Sequence, residues 1–293
     1  MSDTPVGGSA RPPRRLTIRD LARLRVAGAP IVAITAYTAP EGRLCDAAGV
    51  DLILVGDSLG RAVLGMPDEL GVTMEDMERH TRAVARGVAR ALLVADMPFL
   101  SYQADPAEAA RNAGRLIRAG AAAIKLEGGA PVLPAVERIL SAGIPVVGHL
   151  GFTPQSIHRF GGPRIQGRDR AAADRLLADA RSLAAAGVCA VVLEMVPGPL
   201  AAAITAAVEV PTIGIGAGAG CAGQILVLYD ILGLSERVPR LARTYGQIGS
   251  AIAAAVGTYA AEVRSGAFPG AEQTHDGHTW GSTPAVGEQG EDG

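Results

Sequence analysis

Short apolar, β-branched runs recur along this chain with helical segments between them. They fall near Ile31–Thr35, Leu52–Val55, Ala91–Ala95, Ala122–Leu126, Ile144–Gly148, Cys189–Leu193, Pro211–Ile215 and Ile225–Tyr229. They are apolar on both faces instead of alternating, the pattern of strands covered on both sides in a parallel sheet. The segments between them carry helix punctuation. Thr73 and Asp76 form a capping-box pair ahead of Met74, Met77, Val84 and Val88, which share one face. Pro106 opens a helix that Gly120 closes, and Arg170–Ala186 ends the same way at Gly187. Parallel strands joined by helices about eight times over predict a (β/α)8 TIM barrel, with an open doubly wound sheet as the alternative. The gap from the seventh strand to the eighth is too short for a full helix, so the last unit is the irregular one.

Size and composition agree with a single barrel over residues 16–270. The chain has 293 residues, within the range of one α/β barrel, and is 48% hydrophobic, which excludes a disordered, collagen-like or disulfide-stapled protein. Lys+Arg 27 against Asp+Glu 29 leaves no basic excess to hold a nucleic-acid backbone. No apolar run approaches the ~18 residues a membrane span needs. The first fifteen residues end in a Pro/Arg cluster without an apolar run behind it, unlike a signal peptide. Cys45, Cys189 and Cys221 are odd in number, widely spaced and without metal-ligand spacing, as reduced thiols are; a cytoplasmic location is expected. Residues 1–15 are read as a flexible arm. Residues 271–293, polar, Gly-rich and acidic, are read as a disordered tail that carries Trp280, His275 and His278.

Function is concentrated just past the end of each strand, because barrel enzymes build their sites at the C-terminal strand ends. Asp57, Asp96 and Glu127 come from three successive strands and converge on one rim. Converging oxygen ligands without cysteine suit a hard divalent cation such as Mg²⁺. Lys125, the only lysine in the chain, alternates along its strand with Glu127, so both side chains enter one site. It can pair with an anionic substrate's carboxylate. For each acid there is a structural alternative: Asp57 as a helix cap, Asp96 as a loop anchor, Lys125–Glu127 as an interior ion pair. Their joint occurrence favours a site, since carboxylates buried together are costly without a cation. Glu194 also ends a strand, far round the barrel from those three and in an apolar setting, and suits a general base; loop anchoring is the alternative. His149 lines the pocket or is a core histidine, and the GIGAG run at 214–218 is either an anion cradle or a tight turn. No Walker A, HExxH, GxSxG or CxxC pattern occurs.

The motifs in order are TAY at 35–37, LVGDSLG at 54–60, ADMPF at 95–99, KLEGG at 125–129 and GHLGFTPQS at 148–156. They continue with FGG at 160–162, QGR at 166–168, LEMVP at 193–197, PTIGIGAG at 211–218 and GQILV at 223–227. On these the chain resembles the ketopantoate hydroxymethyltransferase family over roughly residues 16–270. The resemblance implies a barrel of the phosphoenolpyruvate/pyruvate superfamily and a homo-oligomer, a decamer in that family. It also implies transfer of a hydroxymethyl group from 5,10-methylenetetrahydrofolate to 3-methyl-2-oxobutanoate, giving 2-dehydropantoate for coenzyme A synthesis. Carried over residue by residue, Asp57 and Asp96 match Mg²⁺ ligands that also contact substrate, and Glu127 matches the third metal-site acid. Ser58 and Lys125 match substrate-binding positions, and Glu194 matches the proton acceptor. Thr38 stands where many members have Asp, and the C-terminal FPG is followed by EQTH, both departures from the family pattern. Two other classes compete. A superfamily C–C lyase acting on a 2-oxo or 2-hydroxy diacid would want a reactive cysteine near the rim. A non-catalytic binding barrel would not need the full set of acids.

Overall fold

The computed structural model describes residues 14–275. Residues up to Gly246 form one compact unit, and those from Gln247 onward form a second. The span 16–270 read from the sequence as one domain therefore takes in parts of both, and the barrel lies wholly in the first. The bulk of the 1–15 arm and of the 271–293 tail, with His278 and Trp280, lies outside the described residues. Within the first unit eight parallel strands close on themselves: β1 (Ile31–Thr35), β2 (Leu52–Val55), β3 (Leu92–Asp96), β4 (Ala123–Glu127), β5 (Val146–Gly151), β6 (Ala190–Glu194), β7 (Thr212–Ile215) and β8 (Gly223–Leu226). Closure is made by β8 returning to β1, with Ile31 opposite Gly223 and Ile34 opposite Leu226, which excludes the open doubly wound sheet. No described helix is long and apolar enough to cross a membrane.

Two strand boundaries differ from the sequence reading for identifiable reasons. β5 runs Val146–Gly151 instead of Ile144–Gly148, because Pro145 has no N–H to give a ladder and the pairing starts after it. β8 runs Gly223–Leu226 instead of Ile225–Tyr229: Gly223 comes so close to the backbone of Ile31 that a Cβ there would collide with it. Tyr229 belongs to a short helix, Leu228–Leu232. The remaining strands lie within a residue of expectation at each end. The connection from β7 to β8 carries no helix, as its length requires.

Strand alternation sorts the side chains into two cores. Ile31, Ala33, Leu52, Leu54, Leu92, Val94, Ala123, Val147, Ala190, Val192, Ile213 and Ile225 fill the barrel interior. Leu21, fully buried on the helix Ile18–Val26, packs with the N-terminal ends of the strands and plugs the lower mouth. Burying a leucine this way contributes about 1.5–3 kcal/mol. The intervening residues, among them Ile53, Val55, Leu93, Ile124, Leu126, Val191 and Leu193, face outward into the helix layer. Both faces of each strand are thus covered, the physical reason for the two-sided apolar runs.

The helices begin and end on the residues their caps dictate. Thr73 Oγ1 accepts from Asp76 N at 3.1 Å while Asp76 Oδ2 accepts from Thr73 N, opening Met74–Ala85. Asp105 caps Pro106–Ala119, which ends at Gly120 with φ +116°, and Asp169 caps Arg170–Ala186, which ends at Gly187 with φ +99°. Each such N-cap contributes about 1 kcal/mol. Thr38 is a cap as well: its hydroxyl accepts from Glu41 N, and Glu41 Oε2 accepts from Thr38 N and Tyr37 N. The second unit contains the helix Ile248–Ser265, after which Phe268 meets Tyr259 edge-on, with ring centroids 5.4 Å apart.

Candidate active site

Following one strand upward gives the plan of the site. Along β4, Ala123, Lys125 and Glu127 point into the barrel while Ile124 and Leu126 point out. The interior column is apolar at the bottom and ionic at the top. β3 ends the same way on Asp96 and β6 on Glu194, and β5 carries His149 near its end, all lining one cavity of about 280 Å³ together with Asp57 and Ser58. In register, Asp96 lies beside Lys125, Glu127 beside His149, and Gly151 beside Glu194. The barrel's hydrogen bonding therefore brings together all six residues that the sequence nominated.

The structural alternatives for these acids hold in part: a loop contact at Asp96 and an interior ion pair at Lys125–Glu127 are present, and a helix cap at Asp57 is not. Asp57 Oδ2 accepts from the Gln155 side-chain amide at 2.8 Å and caps no helix. Asp96 reaches across to the neighbouring strand end, its Oδ2 accepting from Asp57 N at 3.0 Å. Lys125 Nζ lies 3.0 Å from Asp96 Oδ1 and 4.0 Å from Glu127 Oε1, so its tighter partner is Asp96, not Glu127. All four are 5% exposed or less. Ser58 hydrogen-bonds Tyr37 Oη at 2.9 Å; that phenol also accepts from Thr35, whose Oγ1 takes the Leu228 N–H.

Glu194 is not isolated from this group. His149 stands between, its Nε2 3.3 Å from Glu194 Oε2 and its Nδ1 3.2 Å from Lys125 Nζ and 3.4 Å from Glu127 Oε1. A neutral ring that accepts from Lys125 at Nδ1 carries its proton on Nε2, close to Glu194 but outside hydrogen-bond geometry; a protonated ring gives up the Lys125 bond and turns Nδ1–H toward Glu127. The separation expected from strand order is thus bridged by one imidazole, which the sequence left open between pocket and core.

Burial sets the protonation of the cluster and charges modify it. Burial, then Asp96 and Glu127, push the Asp57 carboxyl well above the usual carboxylate range. Burial likewise raises Asp96, against the pull of Lys125 and the Asp57 N–H. Glu127 goes the other way: burial would raise it, but His149, Lys125 and the Gln155 N–H outweigh burial and keep it ionised. Burial would lower Lys125, yet Asp96, Glu127 and Asp57 hold its ammonium above the ordinary value. For His149, burial and Lys125 oppose the charge while Glu127 and Glu194 win, so its pKa is raised.

Among the described residues no group of three His, Cys, Asp or Glu side chains is drawn together as a ready-made metal cage. The donor set nevertheless fits a hard cation. Asp96 Oδ1 and Glu127 Oε1 are buried and face only the cationic or ring nitrogens of Lys125 and His149, and Mg²⁺ needs only one or two protein carboxylates, its other ligands being water and substrate oxygens.

Several site residues were not visible in the sequence. Gln155 gives its amide hydrogens to Asp57 Oδ2 and Met97 O, accepts from Tyr102 Oη and Gln103 Nε2, and gives its backbone N–H to Glu127 Oε2. Tyr102 Oη in turn accepts from Glu127 N at 3.0 Å. Glu69 also lines the cavity. The GIGAG run serves the turn out of β7: Ile215 lines the cavity, while Gly216 and Gly218 take φ of +61° and +77° outside it. His80 Nδ1 is spent on Tyr37 O at 2.7 Å. No cysteine lines the cavity.

Comparison with known proteins gives the family. The sequence model of the family described as ketopantoate hydroxymethyltransferase matches residues 15–271. The chain belongs to the ketopantoate hydroxymethyltransferase family. It is 55% identical to the 3-methyl-2-oxobutanoate hydroxymethyltransferase of Pyrobaculum islandicum over 259 residues, 88% of this chain and 98% of that protein. It is 52% identical to the Geotalea daltonii enzyme of the same name over 86% and 96% of the two chains. As a family member the chain is a hydroxymethyltransferase. Among solved structures it resembles a 2,3-dimethylmalate lyase of the PEP mutase/isocitrate lyase superfamily (TM-score 0.57, 18% identity, 89% and 93% covered). It also resembles the phosphoenolpyruvate phosphomutase of Streptomyces platensis (TM-score 0.58, 17% identity, 86% and 88% covered). At these identities the hydroxymethyltransferase family shares its fold with them.

Proposed function

We propose that this hydroxymethyltransferase moves a hydroxymethyl group from 5,10-methylenetetrahydrofolate to 3-methyl-2-oxobutanoate, giving 2-dehydropantoate, with Glu194 as the base. One observation carries the reading: within a single cavity the buried Asp57, Asp96 and Glu127 carboxylates gather around the Lys125 ammonium, and a further carboxylate, Glu194, stands across His149 from them. A 2-oxo acid needs both. Its carboxylate needs a positive group, and Lys125 is the buried cation among the cavity's lining residues, with Ser58 supplying a hydroxyl. Its C3–H is a weak acid that a carboxylate aligned at hydrogen-bond range can remove. Glu194, less buried than the others with a side chain 15% exposed, takes that proton, and His149 Nε2 lies 3.3 Å from its carboxylate. Asp57 and Asp96 would hold Mg²⁺, with Glu127 the third acid beside it. When bound, the ion supplies the Lewis acidity that stabilises the enolate oxygen, worth several kcal/mol. Gln155 and Tyr102 keep the acids in place, so that substrate meets a site already ordered.

A C–C lyase is disfavoured because the reactive cysteine such chemistry would want is not in the cavity. A homo-decameric assembly and a cytoplasmic location complete the proposal and rest on the family resemblance; light scattering on the purified chain tests the first. The central test is proton NMR of 3-methyl-2-oxobutanoate in D2O with Mg²⁺ or with EDTA. The C3 methine signal is expected to disappear only with metal, and Glu194→Gln to slow that exchange by about 10²–10⁴-fold. Exchange at the wild-type rate in Glu194→Gln removes Glu194 from the role of base. A methine that persists in the wild type, with folate present, removes the substrate assignment.

A further inference from the structure

A second cavity, of about 610 Å³, adjoins the first. The two share Ser58, Arg61, Glu69, Val227, Asp230 and Pro239. The smaller one contains the acids and suits a five-carbon oxo acid; a donor built on a fused pterin ring needs the larger. A group passed from one to the other crosses the shared wall, so the carbon–nitrogen bond that breaks lies there. The departing nitrogen requires a proton, since an amine expelled as its anion is a very poor leaving group.

Two buried carboxyls stand on that wall. Asp230 is already engaged, its Oδ1 accepting from Ser235 Oγ at 2.6 Å. Glu69 is 5% exposed, has no side-chain hydrogen bond to another described residue, and has as its nearest cation Arg61 Nη1 at 3.9 Å, on a guanidinium that is itself largely in solvent. Burial pushes the Glu69 carboxyl up to about 7, with Arg61 only partly offsetting it. A carboxyl in that range holds a proton at neutral pH and yields it readily, as a general acid should.

We propose that Glu69 is the catalytic acid of the donor half of the reaction, delivering its proton to the folate nitrogen that leaves the transferred carbon. The donor's five-membered ring opens first: one carbon–nitrogen bond breaks, its electron pair takes up the Glu69 proton, and the other nitrogen holds the carbon as an iminium. Water adds to that carbon, and the proton it loses returns to the Glu69 carboxylate. The second carbon–nitrogen bond then breaks with a Glu69 proton going to its nitrogen while the hydroxyl proton returns to the carboxylate, which leaves formaldehyde; the enolate carbon attacks its carbonyl, and the oxygen takes up the proton removed from C3. This assignment rests on the folate-dependent reaction proposed above.

The experiment separates the two halves on the full-length protein. Deuterium exchange at C3 of the oxo acid, without folate, reads the enolising half and also checks that the site is folded. Transfer from 5,10-methylenetetrahydrofolate reads both halves. In Glu69→Gln, which is isosteric and cannot give up a proton, the ratio of transfer kcat to exchange rate is expected to fall by about 100-fold or more, with the folate KM little changed. An unchanged ratio overturns the proposal. So does a rise in KM at constant kcat, which marks a binding group, or a loss of exchange as large as the loss of transfer, which marks a structural one. Wild-type protein that exchanges the methine but does not use folate refutes the donor assignment itself, and with it the acid.

Discussion

Replacing Gln155 by leucine tests whether the site is held from behind by one amide. The side chain is 5% exposed and uses all four of its hydrogen-bonding positions. Leucine fills a similar volume and makes none of these bonds. Gln103 is exposed and finds water, and Tyr102 Oη retains Glu127. Asp57 Oδ2 and Met97 O are then left as buried acceptors without a partner. Each orphaned group costs about 1–3 kcal/mol, so the variant is expected to lose about 2–6 kcal/mol, a large share of an ordinary domain's 5–15. Urea unfolding followed by circular dichroism reads this as a lower midpoint at unchanged m. A loss below about 1 kcal/mol refutes the reasoning, for it means water enters and replaces the amide at no cost. Exchange at C3 should fall too, because Asp57 loses the contact that fixes its carboxylate.

Burial and backbone geometry motivate two more perturbations. Glu69 has a raised pKa in the folded chain, so its contribution to stability is intact below its ordinary 4.5 and is lost as pH rises through about 7. At about 1.4 kcal/mol per pH unit, Glu69→Gln should gain about 3 kcal/mol on the wild type between pH 4.5 and pH 8, measured by denaturant unfolding; parallel pH profiles would show that the carboxyl is not buried in solution. Gly151 has φ +95° and faces the Glu194 carbonyl, where an added Cβ collides with it and with Val196. Phe152 N ties the same carbonyl at 2.8 Å, so Gly151→Ala should displace the end of β6. It should cost more than Gly143→Ala, which at φ +80° with open space around it meets only the left-handed strain of about 1–2 kcal/mol. Equal costs in the two variants would show that the strand ends move apart freely.

The barrel was legible because its evidence is local. Each strand's apolar run and each helix's cap can be read within a few neighbouring residues, as Thr73 with Asp76 or Asp105 with Pro106 shows. The acids were legible because strand ends are also local, and Lys125 and Glu127 share a strand face whatever the rest of the chain does. Gln155 was not, since its partner Asp57 lies 98 residues away and nothing near 155 signals a site. Glu69 sits between strands in a stretch without regular spacing, and only the packing of the loop before Met74 buries it. His149 could be assigned to neither pocket nor core, because a strand position fixes the face but not the neighbours. The link between Glu194 and the metal acids was hidden for the same reason: strand order counts staves and does not see one imidazole standing between two of them.

The barrel also has a seam. β7 and β8 are joined by a turn instead of a helix and pair over two positions, Ile213 with Gly223 and Gly214 with Gln224, whereas β5 and β6 pair over five. A closed sheet breathes where its ladder is shortest and its outer cover thinnest, so hydrogen exchange should enter this protein through β7 and β8 while β3 to β6, which carry most of the ionic cluster, stay protected. Chemistry and give are thereby assigned to opposite sides of the same ring.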